Sequence, residues 1–267
     1  MYLTIISISA IILYVSCSIY LGGQAWHGIK HPKLNQLATT AGFIALAGHA
    51  YILHLTMFGS SGVDFSVLKV ASLSCWLLTL STLCSSLRLP VNNLLTPLYL
   101  LTAITLVLAL SIQSPPQIIP DITYSISVHI LLSILAYCVF TVAAMQAVIV
   151  GMQDRLLRQH KTDGFINTLP PLQTMETLLF DMLWTGQVLL SAALAIGFYA
   201  NLETPDALSS HKVVFAIISW GLFSVLLWGR HRLGWRGQTA INWTLVGFAF
   251  LMLSYFGSKL VFEFLLS

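Results

Sequence analysis

Two histidines within long apolar stretches, His49 and His129, are the residues of this chain best placed to do chemistry. Ionisable side chains are costly inside a bilayer, so those found there are candidates for a function. An imidazole at such depth can ligate a metal or relay a proton. The alternative is a hydrogen-bonded histidine that packs between helices, which the pattern by itself favours.

Composition explains why these histidines are predicted to lie in a membrane. The chain of 267 residues is 57% hydrophobic and 8% charged, whereas soluble domains carry about 25% charged residues. The N-terminal apolar run has no basic flank and no cleavage site, which indicates a retained first helix. We therefore predict an all-α polytopic membrane protein, one bundle domain over 1–267. Eight segments are long enough to span: 2–22, 34–57, 65–86, 91–112, 122–151, 178–200, 211–229 and 239–262.

The charges of the connections predict the orientation. Nine of the twelve lysine and arginine residues fall in the odd-numbered connections, at positions 30, 33, 88, 155, 158, 161, 230, 232 and 236. The even-numbered connections are acidic or neutral and hold Asp64, Asp121, Glu203 and Asp206. Because positive loops stay in the cytoplasm, both termini are predicted to face the periplasm.

This orientation places His49 and His129 at matched depths. His49 lies eight residues before Met57, where the second segment ends, and His129 lies seven residues after Ile122, where the fifth begins. At 1.5 Å per residue, both are roughly 10–12 Å below the outer surface. Two imidazoles at one depth on different helices could ligate one metal from opposite sides, and haem iron is such a metal.

Small residues share the helical faces of both histidines. They leave room for a flat macrocycle, although close helix packing in membranes uses the same residue types. The set comprises Ala38, Gly42 and Ala45 beside His49, and Ser133 and Ala136 beside His129. The metal-site hypothesis therefore names His49 and His129 as ligands.

Other polar residues near the predicted surfaces have weaker claims. His211 opens the seventh segment at the outer side, where it could be a transient ligand or simply a polar end residue. His54 lies one turn outward of His49, and Asp181 near the inner end of helix six reads as an interfacial acid. Five tryptophans toward the cytoplasmic half are typical of an aromatic belt: Trp184, Trp220, Trp228, Trp235 and Trp243.

Several function classes lack any signature. No serine–histidine–aspartate set, paired carboxylate or phosphate-binding loop is present, so nothing indicates an enzyme. No nucleic-acid-binding module is recognisable. The four cysteines, Cys17, Cys75, Cys84 and Cys138, form no Cys-x-x-Cys pair and lie in apolar stretches. Since Cys-x-x-Cys-His is also absent, any haem would be non-covalent, of type b.

A family resemblance emerges from three stretches. His129 to Ser133 with Tyr137 resembles the "His-x-x-x-Ser…Tyr" helix of the CcsA/CcmC-type cytochrome c assembly proteins. Residues 220–230, 234–237 and 247–257 look like their C-terminal segment, and the stretch around His49 is similar to their N-terminal one. Leu226 to Gly229 and Gly234 to Gly237 resemble in particular the short YpjD-like inner-membrane members, which are related also to HemX.

The resemblance implies haem handling or cytochrome c assembly in a bacterial inner membrane. His129 matches the haem histidine on the outer side, and His49 matches an N-terminal family histidine. Partners would then be haem, the lipid bilayer and other membrane or periplasmic assembly proteins. Two features depart from the family: the outer loop Asn201–Ser210 has no tryptophan, and no late outer histidine follows, so haem presentation is lost or altered.

Two other classes remain open on the sequence. The chain could be a small-molecule or ion transporter, in which membrane histidines serve protons or substrate and Pro97 breaks helix four. It could also be a non-catalytic subunit that steadies another membrane protein. A Soret absorption band in the purified protein would separate the haem-binding hypothesis from both.

Overall fold

Eight helices occur in the part of the chain that the structure describes. The computed structural model describes residues 2–27, 32–59, 62–87, 91–112, 118–119, 124–160, 169–203 and 210–254. The helices are α1 (Tyr2–His27), α2 (Pro32–Met57), α3 (Val67–Ser86), α4 (Asn92–Ser111), α5 (Tyr124–Arg158), α6 (Leu172–Glu203), α7 (Ser210–Leu233) and α8 (Gln238–Met252). The first seven are long and apolar enough to cross a membrane. The chain is thus an all-α polytopic membrane protein, as the composition predicts.

The helices form two compact units. The first contains Met1–Asp121 with Lys161–Pro170, and the second contains Ile122–His160 with Pro171–Ser267. In the first unit, α1 packs on α2 and α4, and α3 packs on the same two helices. In the second, α5 packs on α6 and α8, and α7 packs on the same two. The expectation of a single bundle domain over 1–267 stays a prediction.

Each unit has an aromatic centre. In the first, Tyr14 and Tyr99 are fully buried among small and aliphatic side chains, and their ring centroids are 5.8 Å apart. In the second, the rings of Phe140 and Phe223 stack with centroids 3.9 Å apart. Apolar side chains that face lipid are exposed in both units, for example Ile5, Val188 and Trp228. Because lipid is itself apolar, packing rather than hydrophobicity must bring these helices together.

A small antiparallel sheet joins two connections at one end of the first unit. Its strands are β1 (Phe58–Gly59), β2 (Gly62–Asp64) and β3 (Ile118–Ile119), with Val63 opposite both Phe58 and Ile119. Next to it, Lys69 forms an ion pair with Asp64 at 2.6 Å and also donates to the Thr56 carbonyl. These contacts satisfy the charge of Lys69 near the end of a membrane-length helix.

The long cytoplasmic loop predicted between residues 152 and 177 is wrong in extent, because helices continue into it from both sides. α5 runs to Arg158, where an ion pair with Asp154 at 3.0 Å supports its last turn. α6 begins at Leu172, directly after Pro171, and proline is well suited to the start of a helix. α5 has 35 residues and α6 has 32. At 1.5 Å per residue, both helices are longer than the roughly 30 Å hydrocarbon core of a bilayer.

Three smaller expectations also meet the structure. Pro97 does not break α4, which is continuous from Asn92 to Ser111; the proline lies in the second turn, so the missing hydrogen bond involves the helix start. α1 continues to His27, past the predicted end. The described part of α8 has 15 residues, and its predicted continuation to 262 lies outside the described residues.

Candidate functional site

The imidazole of His129 is held on α5 by the facing helix α6. Its Nδ1 lies 2.8 Å from the carbonyl oxygen of Ala193. Since a carbonyl only accepts, Nδ1 must carry the hydrogen and donate it. In the neutral ring this leaves the lone pair on Nε2. A histidine that ligates a metal usually donates its other ring hydrogen in this way, which sets the tautomer and the orientation of the ring.

Gly197, one turn beyond Ala193 on α6, provides the space for this ring. A Cβ atom at Gly197 would lie 2.6 Å from both Nδ1 and Cε1 of His129. The ring therefore rests directly on the α6 backbone, and no larger residue fits without moving it. The sequence analysis missed Ala193 and Gly197 as parts of this site. The available signal was the small-residue run from Ser191 to Gly197.

His129 and Gly197 lie at similar distances from the ends of their helices. His129 is five residues after Tyr124, where α5 begins, and Gly197 is six residues before Glu203, where α6 ends. At 1.5 Å per residue, both lie roughly 8–9 Å inside their helices. The side chain of His129 is partly buried.

His49 has a different environment, in the interior of the first unit. The side chain is 0% exposed. Its Nε2 is 2.9 Å from the Ser72 hydroxyl, and its Nδ1 is 3.5 Å from the Tyr14 hydroxyl. Both ring nitrogens thus face hydroxyl groups, and one of these two contacts would have to be exchanged for any metal bond. This geometry favours a packing role, while the paired ligation of one iron by His49 and His129 stays a prediction.

His54 and His211, the other histidines considered as ligands, have less structural support than His129. His54 is exposed on α2 and lines a small apolar cavity of about 210 Å³ with Met57, Val63 and Trp76. His211 lies in the first turn of α7, and its side chain lies outside the described part of the structure. Its predicted ligand role therefore stays a prediction.

Hydrogen bonds join α6 to α7 below the His129 site. The amide of Gln187 donates to the Ser224 hydroxyl at 2.7 Å, and the indole nitrogen of Trp220 donates to the Ser191 hydroxyl at 2.8 Å. Trp220 is therefore part of the helix interface rather than a free stacking surface. By contrast, Trp184 and Trp228 are more than half exposed, which agrees with an aromatic belt.

The glycine- and tryptophan-rich stretch between α7 and α8 has a structural role. The indole of Trp235 lies against the backbone of Gly229, and the backbone N–H of Trp235 donates to the Gly229 carbonyl at 3.2 Å. The N–H of Gly237 donates to Glu176 of α6 at 2.9 Å. Gly234 and Gly237 both have positive φ angles, +67° and +57°, which favour glycine. The motif residues thus shape the α7–α8 turn and bind it to α6.

Gly229→Ala should destabilise the protein because its new Cβ would overlap the indole of Trp235. The matched control is Gly221→Ala on the same helix, where no atom lies within 4 Å of the added Cβ. We expect a loss of roughly 1–3 kcal/mol for the former, typical of overpacking, and a neutral or slightly stabilising effect for the latter. Thermal unfolding of the detergent-purified variants measures both; equal midpoints would contradict this packing.

The potential ligands in the described structure suit a metal cofactor that already carries most of its ligands, rather than a bare metal ion. Among the described residues, no group of three or more His, Cys, Asp or Glu side chains could hold a bare metal ion. Haem needs one or two protein ligands because the porphyrin supplies the other four, and imidazole is a common axial ligand. His129, whose Nδ1 is held by the Ala193 carbonyl, fits that requirement.

The helices and the sequence comparisons define the class. The architecture is that of a multi-pass membrane protein in which a histidine of α5, His129, packs against the backbone of α6. The family model for the cytochrome c assembly protein matches residues 37–266, so the chain belongs to the cytochrome c assembly protein family.

Three relatives illustrate the range of similarity. The chain is 31% identical over 240 residues to the inner membrane protein YpjD of Escherichia coli K12, covering 87% of this chain and 89% of that one. It is 30% identical over 143 residues, 53% of each chain, to a 28.8 kDa protein from Azospirillum brasilense. It is 22% identical over 131 residues, 48% of each chain, to protein HemX of Brevibacillus brevis. The likeness to YpjD and the seven membrane-length helices together indicate a multi-pass inner-membrane protein.

Proposed function

We propose that this protein binds a non-covalent b-type haem through His129 and acts in haem handling or cytochrome c assembly. The observation that carries the proposal is the hydrogen bond from His129 Nδ1 to the Ala193 carbonyl. In the neutral ring this bond leaves the lone pair on Nε2, and a neutral imidazole is the form that ligates iron. Membership of the cytochrome c assembly family supports the same reading.

The residues around the iron ligand would act by holding and orienting it. Ala193 fixes the tautomer, and Gly197 admits the ring close to the α6 backbone. A bound haem would supply its usual redox and ligand-exchange chemistry. The ligand roles predicted for His49 and His211 stay predictions, and His49 would have to exchange one of its two hydroxyl partners to bind iron.

Haem would be held here without the tryptophan-rich outer loop of the resembling proteins. The corresponding segment, Asn201–Ser210, contains no tryptophan, and most of it lies outside the described residues. We therefore propose that this chain retains or transfers haem within the membrane, and that delivery to an apoprotein needs a platform from a partner.

The test of the proposed function begins with the absorption spectrum of the full chain, purified in detergent from cells supplied with a haem precursor. We expect a Soret band and a b-type pyridine haemochrome, at about one haem per chain as one ligating site requires. No Soret band, even after titration with haemin, would contradict haem binding and leave the transporter and subunit hypotheses.

A deletion strain then tests the biological role. If the protein serves assembly, deletion should lower covalent cytochrome c, scored by haem staining of membrane proteins, and the wild-type gene should restore it. Unchanged cytochrome c in the deletion strain would contradict an assembly role, even if the purified protein binds haem. Complementation with His211→Ala asks whether this residue takes part in delivery.

We also propose that both termini face the periplasm, because nine of the twelve basic residues lie in connections on the opposite side. Alkaline phosphatase is active only outside the cytoplasm, so we expect activity for a fusion after Ser267 and none for a fusion after Arg158. A cytoplasmic reporter such as green fluorescent protein should give the reverse result. Alkaline phosphatase activity after Arg158 alone would overturn this orientation.

A further inference from the structure

A second candidate site lies in the first unit, away from His129. A cavity of about 540 Å³ opens where α1 and α3 end and α2 and α4 begin. This volume falls within the range of about 300–1,000 Å³ that is usual for small-molecule sites. Asn35, on the cavity wall, and His49 lie fourteen residues apart on α2, or roughly 20 Å. Tyr99, which also lines the cavity, lies nearer to His49, because its ring packs against Tyr14, a hydrogen-bond partner of His49.

Two buried polar atoms at this cavity lack partners. Among the described residues, neither the hydroxyl of Tyr99 nor the amide oxygen of Asn35 has a hydrogen-bond partner. Tyr99 is 0% exposed, and its hydroxyl lies against the backbone of Gly42, where any side chain would displace it. A buried polar group without a partner is costly in a membrane, so a ligand that bonded to these two atoms would be stabilised by them.

The threonine and serine hydroxyls on the cavity wall have already used their hydrogens, and the wall also includes the exposed side chain of Gln36. The hydroxyls of Thr39, Thr40 and Ser86 donate to carbonyl oxygens of their own helices, at 2.9, 2.9 and 2.7 Å. Each can therefore only accept a hydrogen bond from a ligand. Tyr99 is the deep group that can both donate and accept, and the amide of Asn35 offers the same pair of roles.

The chemistry of the wall favours a neutral ligand with an aromatic or flat head. The described lining residues include no charged side chain, whereas a phosphate head group would call for one. Phe43 and Tyr99 supply two rings, and Leu21, Leu87 and Leu95 supply apolar surface. Since Tyr99 and Asn35 can each donate and accept, they suit a head that exists in carbonyl and hydroxyl forms.

We propose that this cavity binds the head group of a lipid-soluble quinone or quinol, with the Tyr99 hydroxyl and the Asn35 amide as its hydrogen-bond partners. The site is independent of His129 and goes beyond the proposed haem function. On the proposed orientation, it lies at the cytoplasmic side of the membrane.

The test measures binding of decylubiquinone to the full chain in detergent, by equilibrium separation of free and protein-bound quinone. We expect saturable binding in excess of empty micelles. Tyr99→Phe should weaken it roughly tenfold, the effect of one lost buried hydrogen bond. The matched control is Tyr51→Phe, the same chemical change on an exposed face of α2, which should leave binding unchanged.

Stability provides the second readout. Without quinone, Tyr99→Phe should unfold at the same temperature as the wild type or higher, because it removes an unpaired buried hydroxyl. Non-saturable uptake, or equal affinity for Tyr99→Phe and the wild type, would overturn the proposal. So would saturable, Tyr99-dependent binding of dioleoylphosphatidylglycerol in place of decylubiquinone, which would assign the cavity to a phospholipid.

Discussion

Replacing His129 by alanine should remove haem from the purified protein. On the proposed function, Nε2 of this residue is the iron ligand, and the loss of a supporting partner alone typically costs about 10–100-fold in metal affinity. We therefore expect the affinity for haemin to fall by more than roughly 100-fold, measured by Soret titration of the detergent-purified protein. His231→Ala, on the exposed end of α7, is the matched control and should bind haemin like the wild type.

Gly197→Ala tests the glycine against which the imidazole of His129 packs. The added Cβ would lie 2.6 Å from His129 Nδ1, so the ring must turn away from Ala193 and lose its hydrogen bond. We expect haemin affinity to fall roughly 10–100-fold, the range for loss of such a partner. Gly221→Ala, with open space around its Cβ, should have no effect. Normal haemin binding by both His129→Ala and Gly197→Ala would exclude this histidine as the ligand.

Replacing His49 by alanine should mainly reduce stability. The substitution leaves a cavity in a fully buried cluster and removes the partner of the Ser72 hydroxyl at 2.9 Å. Such losses together cost about 2–4 kcal/mol, and we expect the unfolding midpoint to drop by roughly 5–10 °C. Thermal unfolding of the full chain in detergent, with haem content measured in parallel, gives both readouts. Because both ring nitrogens already face hydroxyl groups, haem content should be retained.

Ser72→Ala separates packing from ligation at the same place. It removes the Nε2 partner of His49 but leaves the imidazole, so its stability loss should be smaller, about 1–3 kcal/mol. If His49 were instead an iron ligand, His49→Ala would convert a low-spin haem spectrum to high spin, whereas Ser72→Ala would not. That result would support the paired ligation by His49 and His129 that the matched depths predict.

The sequence alone does not distinguish the roles of His49 and His129. Because they lie at matched depth in two apolar helices, the sequence predicts the same role for both. Their surroundings differ. His49 lies between two hydroxyl groups in the interior of the first unit, whereas Nδ1 of His129 bonds to a backbone carbonyl of α6. The partners Ser72 and Ala193 are 23 and 64 residues away in sequence, and no local pattern reveals them.

The roles of the family-motif residues between α7 and α8 also became clear only from the structure. The glycines and tryptophan between Gly229 and Gly237 are specific enough to suggest the family, yet their chemistry is not apparent from their types. In the structure, Trp235 needs a glycine beneath it, and Gly237 places its N–H on Glu176. These residues serve the turn between α7 and α8 rather than a ligand.

Composition and the length of the apolar segments determined by themselves that this is an all-α membrane protein, because apolar segments of about 20 residues cross a bilayer as helices whose backbone groups bond internally. The number of helices and most of their ends follow from the same constraint, with α8 beyond residue 254 outside the described structure. Three features were decided only by tertiary structure. These are the extensions of α5 to Arg158 and of α6 back to Leu172, the packing of His129 on Gly197, and the unpaired hydroxyl of Tyr99. Each depends on which side chains meet between helices distant in sequence, and in lipid that choice rests on close packing and hydrogen bonds rather than on hydrophobicity.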